Sequence, residues 1–418
     1  MRYFYTILLY LATPLIVLRL YWKSRRLPAY RYRIAERFSF YKNAPMPVDI
    51  WIHAVSLGEV VAATPLIQAL LKKKQRVLVT TMTPTGSQQV LNRFGTQVVH
   101  HYVPYDLPWV LRRFFRRFKP RVGMIMETEL WPNIIHQAKC SQIPLLLVNA
   151  RLSDRAFKQY IKLRFMFKLV INEFTAILAQ SQQDAQRFMD LGASPQYVKV
   201  VGNLKFDLPA VVIDKNLQQV FKAAWGNERV VLIAASTHEG EEEVFLRQLA
   251  TLKNAIPQLL LLIAPRHPER FQAVYQLCQQ YSYTTGLRSQ RQNITEQTDV
   301  VVLDSLGELM LFYSMSDYAF VGGSLVPIGG HNVLEPIAVN VPVLCGPYMN
   351  NSKSICDDLC RANALEKVLD ADDLIKKLVA LYQNPMRREA QIKNAIAVLH
   401  ANRGALDRCI EEIESQTA

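Results

Sequence analysis

At 418 residues the chain exceeds the roughly 250 to 300 residues at which one hydrophobic core stops growing, so two or three domains are expected. Apolar residues make up 50% and charged residues 20%, and 16 Gly and 21 Pro are scattered without a biased tract, which excludes disorder, fibres and coiled coils. With 49 Lys+Arg against 35 Asp+Glu the net charge is +14, pointing to an anionic partner: nucleic acid, a membrane surface or a phosphorylated substrate.

Tyr3 to Leu18 is a run of 16 uncharged, mostly apolar residues, followed by Arg19 and the interfacial rings of Tyr21 and Trp22. A bilayer core needs about 20 helical residues, so a span over 1–22 requires Arg19 to snorkel and Pro14 to sit inside the helix. The other reading is an interfacial anchor that does not cross. Residues 23–47 form a basic juxtamembrane segment. From Arg19 to Lys42 there are eight basic residues (Arg19, Lys23, Arg25, Arg26, Arg31, Arg33, Arg37, Lys42) against the single acid Glu36, which places that side in the cytoplasm. A cleaved signal peptide would carry its positive charge before the apolar run. Cys140, Cys278, Cys345, Cys356, Cys360 and Cys409 form no CxxC pair, zinc spacing or disulfide framework, so a reducing compartment is expected.

Beyond residue 47, short β-branched runs alternate with helical patterns, the mark of parallel α/β sheets. Strands are predicted over Asp49 to Ala54, Arg76 to Thr80, Gly123 to Glu127, Pro144 to Asn149, Ala176 to Ala179 and Lys199 to Val201. A second series covers Val230 to Ala235, Leu259 to Ala264, Val300 to Leu303, Tyr318 to Val321 and Val341 to Leu344. The pattern predicts two Rossmann-like domains facing across a cleft, 48–207 and 229–418, joined by an irregular linker at 208–228. The last helix is a candidate to pack back on the N-terminal domain.

No GxxxxGK[ST], GxGxxG, HExxH or GxSxG pattern occurs, which weakens ATPase, simple dehydrogenase, zincin and hydrolase readings. Asp370-Ala371-Asp372 reads as a helix start, and no metal ligand is predicted. His53 to Glu59 runs from a strand into a helix predicted over Val60 to Leu71, placing Glu59 at a helix N-terminus. There its carboxylate can accept a proton from an attacking hydroxyl, or it simply complements the helix dipole. Glu127-Thr128-Glu129 repeats the design at the end of the strand that begins at Gly123, and neighbouring buried carboxylates shift apart in pKa. Lys205, in Gly202 to Asp207, is either a fixed cation at the end of the first half or a solvated lysine.

In the second half, Pro265-Arg266-His267-Pro268 follows a strand and opens a helix, so Arg266 and His267 can meet a phosphate. Gly307-Glu308-Leu309 begins another apolar helix. The strongest motif is Gly322-Gly323-Ser324 through Gly329-Gly330-His331-Asn332-Val333-Leu334-Glu335-Pro336. Its glycine N–H groups and the helix beyond Asn332 are expected to form a phosphate nest, with Glu335 on ribose hydroxyls. Asn332 with Glu335 also fits a capping box. Two basic-aromatic segments complete the inventory. Leu111, Phe114, Phe115 and Phe118 share a helix face opposite Arg112, Arg113, Arg116 and Arg117. Arg151, Arg155, Lys158, Lys162, Arg164 and Lys168 interleave with Tyr160, Phe165 and Phe167. Each is either a core-facing stripe with a solvated face or a surface for lipid headgroups or an anionic amphiphile.

These motifs, in this order behind an N-terminal apolar helix, resemble the 3-deoxy-D-manno-octulosonic acid (Kdo) transferases of lipopolysaccharide biosynthesis over nearly the whole chain. The resemblance implies a GT-B glycosyltransferase, inverting and free of metal or cofactor. It would move Kdo from CMP-Kdo to the tetra-acylated lipid A precursor at the cytoplasmic face of the bacterial inner membrane. Anionic lipid, not nucleic acid, would be the charged partner. Position by position, the resemblance makes Glu59 the proton acceptor and Glu129 and Lys205 transition-state stabilisers. It assigns the CMP site to Pro265, Arg266, Gly307, Glu308, Leu309, Asn332, Val333, Leu334 and Glu335. The rivals are another two-Rossmann enzyme, a UDP-sugar lipid transferase or an epimerase, and a membrane-anchored lipid-binding protein with a vestigial nucleotide site.

Overall fold

The computed structural model describes residues 2–25, 28–42, 45–208 and 213–416. Arg26 of the basic segment and residues 209–212 of the expected linker lie outside them. The chain divides into two units, Met1–Asp207 with Asn402–Ala418, and Leu208–Ala401.

The first unit carries seven parallel strands: β1 (Ile50–His53), β2 (Val77–Thr81), β3 (Val99–Tyr102), β4 (Val122–Met126), β5 (Leu145–Ala150), β6 (Ala176–Ala179) and β7 (Val198–Val200). Their order is β3-β2-β1-β4-β5-β6-β7, so the winding reverses between β1 and β4. Successive strand side chains point to opposite faces. Ile50 and Ile52 accordingly join Val60, Ala63 and Leu66 in one core layer. Trp51 turns to Phe114, Phe115 and Phe118 in the other. Both faces are covered, which is why β1 and β4 are buried at every residue.

The helix Arg2–Ser24 has 23 residues and is long and apolar enough to cross a membrane by length and composition. One face is fastened to the first unit. Tyr5 Oη donates to Asp106 Oδ2 at 2.9 Å and Thr6 Oγ1 to Asn133 Oδ1 at 3.1 Å. Leu9, Ile16 and Leu20 pack with Tyr105, Leu107 and Val110. Phe4, Leu8, Leu11, Leu15, Leu18 and Trp22 remain exposed. At the other end of the chain, the helix Ala405–Ser415 buries Cys409, Ile410 and Ile413 in the layer that holds Leu66. The Asp207 carboxylate caps this helix, accepting from Gly404 and Leu406 N–H at 2.7 Å each.

The second unit has β8 (Val230–Thr237), β9 (Leu259–Pro265), β10 (Thr285–Leu287), β11 (Val300–Val302), β12 (Tyr318–Val321), β13 (Val343–Cys345) and β14 (Glu366–Lys367). The order β10-β11-β9-β8-β12-β13-β14 reverses between β8 and β12. The expected two Rossmann-like sheets are therefore present. Three strands escaped the sequence reading: β3 reads Val-His-His-Tyr, β10 contains Gly286, and β14 is a two-residue edge. The irregular linker expected at 208–228 is corrected by the helix Lys215–Trp225, in which Phe221 and Trp225 are buried beside Phe312. Leu217, Phe221 and Trp225 recur every four residues, and this stripe carries the segment into the core.

Candidate active site

The first cluster sits past the carboxyl ends of β1 and β4, the two strands flanking the sheet's reversal. Ser56 caps the helix Leu57–Lys72, so Glu59 lies in its first turn, not ahead of a helix starting at Val60. Ser56 Oγ donates to Glu59 Oε1 at 2.8 Å, and Val55 N–H donates to Oε2 at 2.8 Å. The Ser-x-x-Glu spacing is a capping box, and it holds the carboxylate in one orientation. Glu59 is 7% exposed. Burial pushes its carboxyl up to about 7; the Ser56 bond opposes this, and the Glu129 and Glu127 charges add to it.

After β4, Glu127 takes a left-handed backbone conformation at φ 57°. Its Oε2 accepts from Arg151 Nε at 2.8 Å. Glu129 Oε2 accepts from Trp131 Nε1 at 2.7 Å. Burial raises the Glu129 carboxyl against the pull of the Trp131 bond, and the Glu127 charge raises it further. The helix Pro132–Cys140 that follows is pinned by Asp106, whose carboxylate accepts from Asn133 and Ile134 N–H at 3.1 and 2.6 Å. His53, in the strand before Glu59, is wholly buried and burial lowers its pKa to about 4, so it stays a neutral packing residue against Trp131.

Lys205 lies in the turn Leu204–Phe206 after β7, which Asn149 Oδ1 fixes by accepting Leu204 N–H at 3.1 Å. Burial lowers the Lys205 pKa, the Glu127 and Glu59 charges favour its charged form, and Arg151 opposes it. Glu59, Glu127, Glu129, Arg151 and Lys205 thus share one electrostatic neighbourhood. A fixed carboxylate that titrates near neutrality beside an ammonium can remove a hydroxyl proton and steady the charge that follows.

In the second unit, the loops after β8 and β12 meet at the other reversal. The expected phosphate nest needs correction. Glu241, fully buried, accepts from Gly323 N–H at 2.7 Å, Ser324 N–H at 3.0 Å and Leu325 N–H at 2.9 Å, and from His238 N–H at 2.9 Å. The Gly323, Ser324 and Leu325 amides are therefore occupied by the protein's own carboxylate, and those of Gly322 and Gly330 by the Ala235 and Gly323 carbonyls. The helix beyond Asn332 is a single turn, Leu334–Ile337, too short for a substantial dipole. Asn332 Oδ1 accepts Leu334 N–H at 3.1 Å, and its Nδ2 donates to Glu335 Oε1 at 3.1 Å. Burial raises the Glu335 carboxyl while Asn332 and then Arg266 draw it back, which places the Arg266 charge near it.

Pro265 ends β9, and Arg266 follows with its side chain exposed and its backbone N–H donating to Thr237 O at 3.0 Å. Gly307 turns the chain at φ 84° into Glu308 and Leu309. The Glu308 carboxylate is gripped by Arg288 at 2.8 and 2.6 Å; burial alone would raise its pKa, but these bonds leave it lowered. Val333 and Leu334 are completely buried, so they pack beneath the loop and present no surface to a ligand. His238 and Glu241 were missed by the sequence reading. The same strand-then-acid pattern that singles out Glu59 and Glu127 is visible in Thr237-His238-Glu239-Gly240-Glu241.

Of the two basic-aromatic segments, the helix Pro108–Phe118 buries Leu111, Phe114, Phe115 and Phe118 in the core. Its Arg112 and Arg116, with Lys119 and Arg121, line a cavity of about 520 Å³ at the amino ends of β4 and β5, the opposite end of the sheet from Glu59. In the helix Arg164–Ile171, Phe167 is buried but Phe165 and Leu169 are 57% and 67% exposed, so this stripe is not wholly core. Among the described residues, no group of three or more His, Cys, Asp or Glu could hold a metal ion.

Residues 32–208 match the family model for 3-deoxy-D-manno-octulosonic-acid transferase (kdotransferase). The 3-deoxy-D-manno-octulosonic acid transferase of Haemophilus influenzae is 40% identical over 417 residues, 98% of this chain and 97% of that protein. The transferase of the same name from Bordetella pertussis is 35% identical, over 89% of this chain and 88% of that protein. A solved glycosyltransferase from Rickettsia africae matches 88% of this chain and 98% of its own at 13% identity with a TM-score of 0.55, a likeness of fold.

Proposed function

The chain belongs to the 3-deoxy-D-manno-octulosonic acid transferase family of glycosyltransferases, and from that premise we propose that it transfers Kdo in lipopolysaccharide biosynthesis, from CMP-Kdo to the tetra-acylated lipid A precursor, with inversion. The observation that carries the mechanism is Glu59, a buried carboxylate fixed by Ser56 and Val55 whose pKa lies at about 7. A group of that pKa is half-ionised at neutral pH and is a competent base there.

In the proposed step, a lone pair of the acceptor hydroxyl oxygen attacks the anomeric carbon of Kdo. The bond from that carbon to the phosphate oxygen breaks, and its electron pair leaves with CMP. The hydroxyl proton passes to Glu59. Lys205 and Glu129, the latter held by Trp131, stabilise the transition state. The donor nucleotide is assigned to Pro265, Arg266, Gly307 to Leu309, and Asn332 to Glu335. Arg266 is the cation there able to meet a phosphate, and the full burial of Val333 and Leu334 gives those two a supporting part. No metal or cofactor enters the scheme.

The helix Arg2–Ser24 is assigned as the anchor in the bacterial inner membrane, with the catalytic body on the cytoplasmic side. The basic surface of Arg112, Arg116 and Lys119 and the exposed Phe165 and Leu169 suit anionic lipid and an amphiphilic acceptor. The test is Glu59→Ala: CMP-Kdo binding should stay close to that of the wild type while transfer disappears. Loss of binding instead would remove Glu59 from the role of base.

A further inference from the structure

Three histidines from separate segments meet in the second unit, beside residues that the proposed reading gives to the donor. His238 follows β8, His267 follows β9, and His331 follows the Gly329-Gly330 pair. His238 Nε2 and His331 Nε2 are 2.9 Å apart, and their rings are parallel to within 3°. His267 meets His238 edge-on at 5.4 Å between centroids. Gly323 makes this approach feasible: a Cβ there would stand 3.1 Å from His331 Nε2 and 3.3 Å from His238 Cδ2.

Two imidazole nitrogens at hydrogen-bond distance cannot both carry a proton, so one donates and the other accepts. The pair therefore holds one proton between its facing nitrogens and has room for a further proton elsewhere on the rings. The charged and titratable groups that reach it are Arg266, His267, Arg270 and Glu242, with Glu241 on the His238 N–H. Burial and then the surrounding cations hold both members neutral; for His331, burial and Arg266 bring the pKa down to about 3. Glu242 does little to offset this, because its carboxylate is committed to Arg270 at 2.7 and 3.1 Å. Arg266 and His267 are exposed, so the cluster opens to solvent on that side.

A neutral histidine pair under a cationic neighbour is a site that an anion can recharge. We propose that His238 and His331 form a proton-sharing clamp for the phosphate of the donor nucleotide, taking up a proton when a phosphomonoester dianion occupies the site. The clamp rests on the donor reading above and adds to it two residues that bind the leaving phosphate and a proton that moves with it. As the sugar–oxygen bond breaks, the phosphodiester monoanion becomes a phosphomonoester dianion. The clamp answers that extra negative charge with one positive charge drawn from solvent.

Calorimetry of CMP binding tests this on the full chain in detergent at pH 7.5, above the second ionisation of a phosphomonoester near 6. Titration in buffers of different ionisation enthalpy gives the protons bound. The clamp predicts uptake of about half to one proton per CMP by the wild type. His331→Gln and His238→Gln should abolish that uptake and weaken CMP on the order of tenfold, the worth of one hydrogen bond to a charged group. His267→Gln should keep the uptake. CMP binding without proton uptake, and at equal strength in the His238 and His331 variants, would overturn the clamp and leave the donor reading standing. Uptake lost only in His267→Gln would also overturn it. No CMP binding to the wild type would remove the donor reading and the clamp together.

Discussion

Glu241 accepts the Gly323 backbone N–H at 2.7 Å, and through the same carboxylate it binds the amides of Ser324, Leu325 and His238. A buried carboxylate with four amide donors substitutes for the anion that such a loop would otherwise invite, so the loop is organised before any ligand arrives.

Replacing Glu241 by Ala leaves those amides without a partner in the interior. The expected cost is about 3 kcal/mol or more, since each unsatisfied buried donor costs roughly 1 to 3 kcal/mol. Glu241→Gln keeps one acceptor oxygen and should fall between. Denaturant unfolding followed with CMP affinity checks this; a Glu241→Ala chain of wild-type stability would show that the amides find other partners.

Glu59→Gln should keep the capping geometry, because Gln also serves at that position, and still lose transfer by 100-fold or more, the usual worth of a general base. The wild-type rate should fall as pH drops below about 7, where Glu59 becomes protonated. The same shift bears on stability. A carboxyl raised from 4.5 to about 7 costs the native state on the order of 3 kcal/mol once ionised. Because the folded value is the higher one, that cost is absent below the unfolded value of 4.5 and complete above 7. Glu59→Gln should therefore raise the melting temperature at pH 8.5 and have little effect at pH 5. An unchanged difference across that range would place the Glu59 pKa elsewhere.

Gly346→Ala should be severely destabilising. Its Cβ would lie 2.2 Å from Ser324 O, a backbone atom that cannot swing aside, and Gly346 N–H is bonded to Ser324 Oγ at 2.8 Å. A loss of about 3 kcal/mol or more is expected, with CMP affinity reduced if the proposed donor site depends on this loop. Gly58→Ala is the control, since the nearest atom to its Cβ is 3.9 Å away.

Deleting residues 2–24 should remove most vesicle binding, because that helix carries the exposed stripe of Phe4, Leu8, Leu11, Leu15, Leu18 and Trp22. Binding that remains should require anionic lipid, weaken with salt and fall further in Arg112→Glu/Arg116→Glu. Flotation with neutral and anionic vesicles at two salt concentrations measures both effects. Salt-independent binding to neutral vesicles by the truncated chain would locate the membrane contact elsewhere.

The sheets were readable where strands are apolar on both faces, as in Ile50 to His53 and Leu259 to Pro265, because such runs carry their own signal. Short polar edges such as Glu366-Lys367 carry none; pairing with β13 makes that strand. That Glu59, Glu129 and Lys205 follow strand ends was legible from their position, since a residue just past a strand end is placed by the fold itself. What could not be read was occupancy. Nothing local announces that Glu241, 82 residues before Gly323, fills the loop amides, or that Arg288 takes the Glu308 carboxylate. Those are long-range pairings, and only packing decides them. The helix Lys215–Trp225 was missed for a different reason: its apolar stripe is real but short and lies in a segment with no strand to frame it.

Whether the protein moves Kdo onto lipid is decided by a transfer assay. Purified protein in detergent is incubated with CMP-Kdo, the tetra-acylated lipid A precursor and a chelator, and the lipid product is weighed by mass spectrometry. The expected result is a mass gain of one or more Kdo units, undiminished by the chelator and absent in Glu59→Ala. No gain under conditions where another transferase of the family works, together with turnover of a UDP-sugar, would contradict the assignment of donor and acceptor.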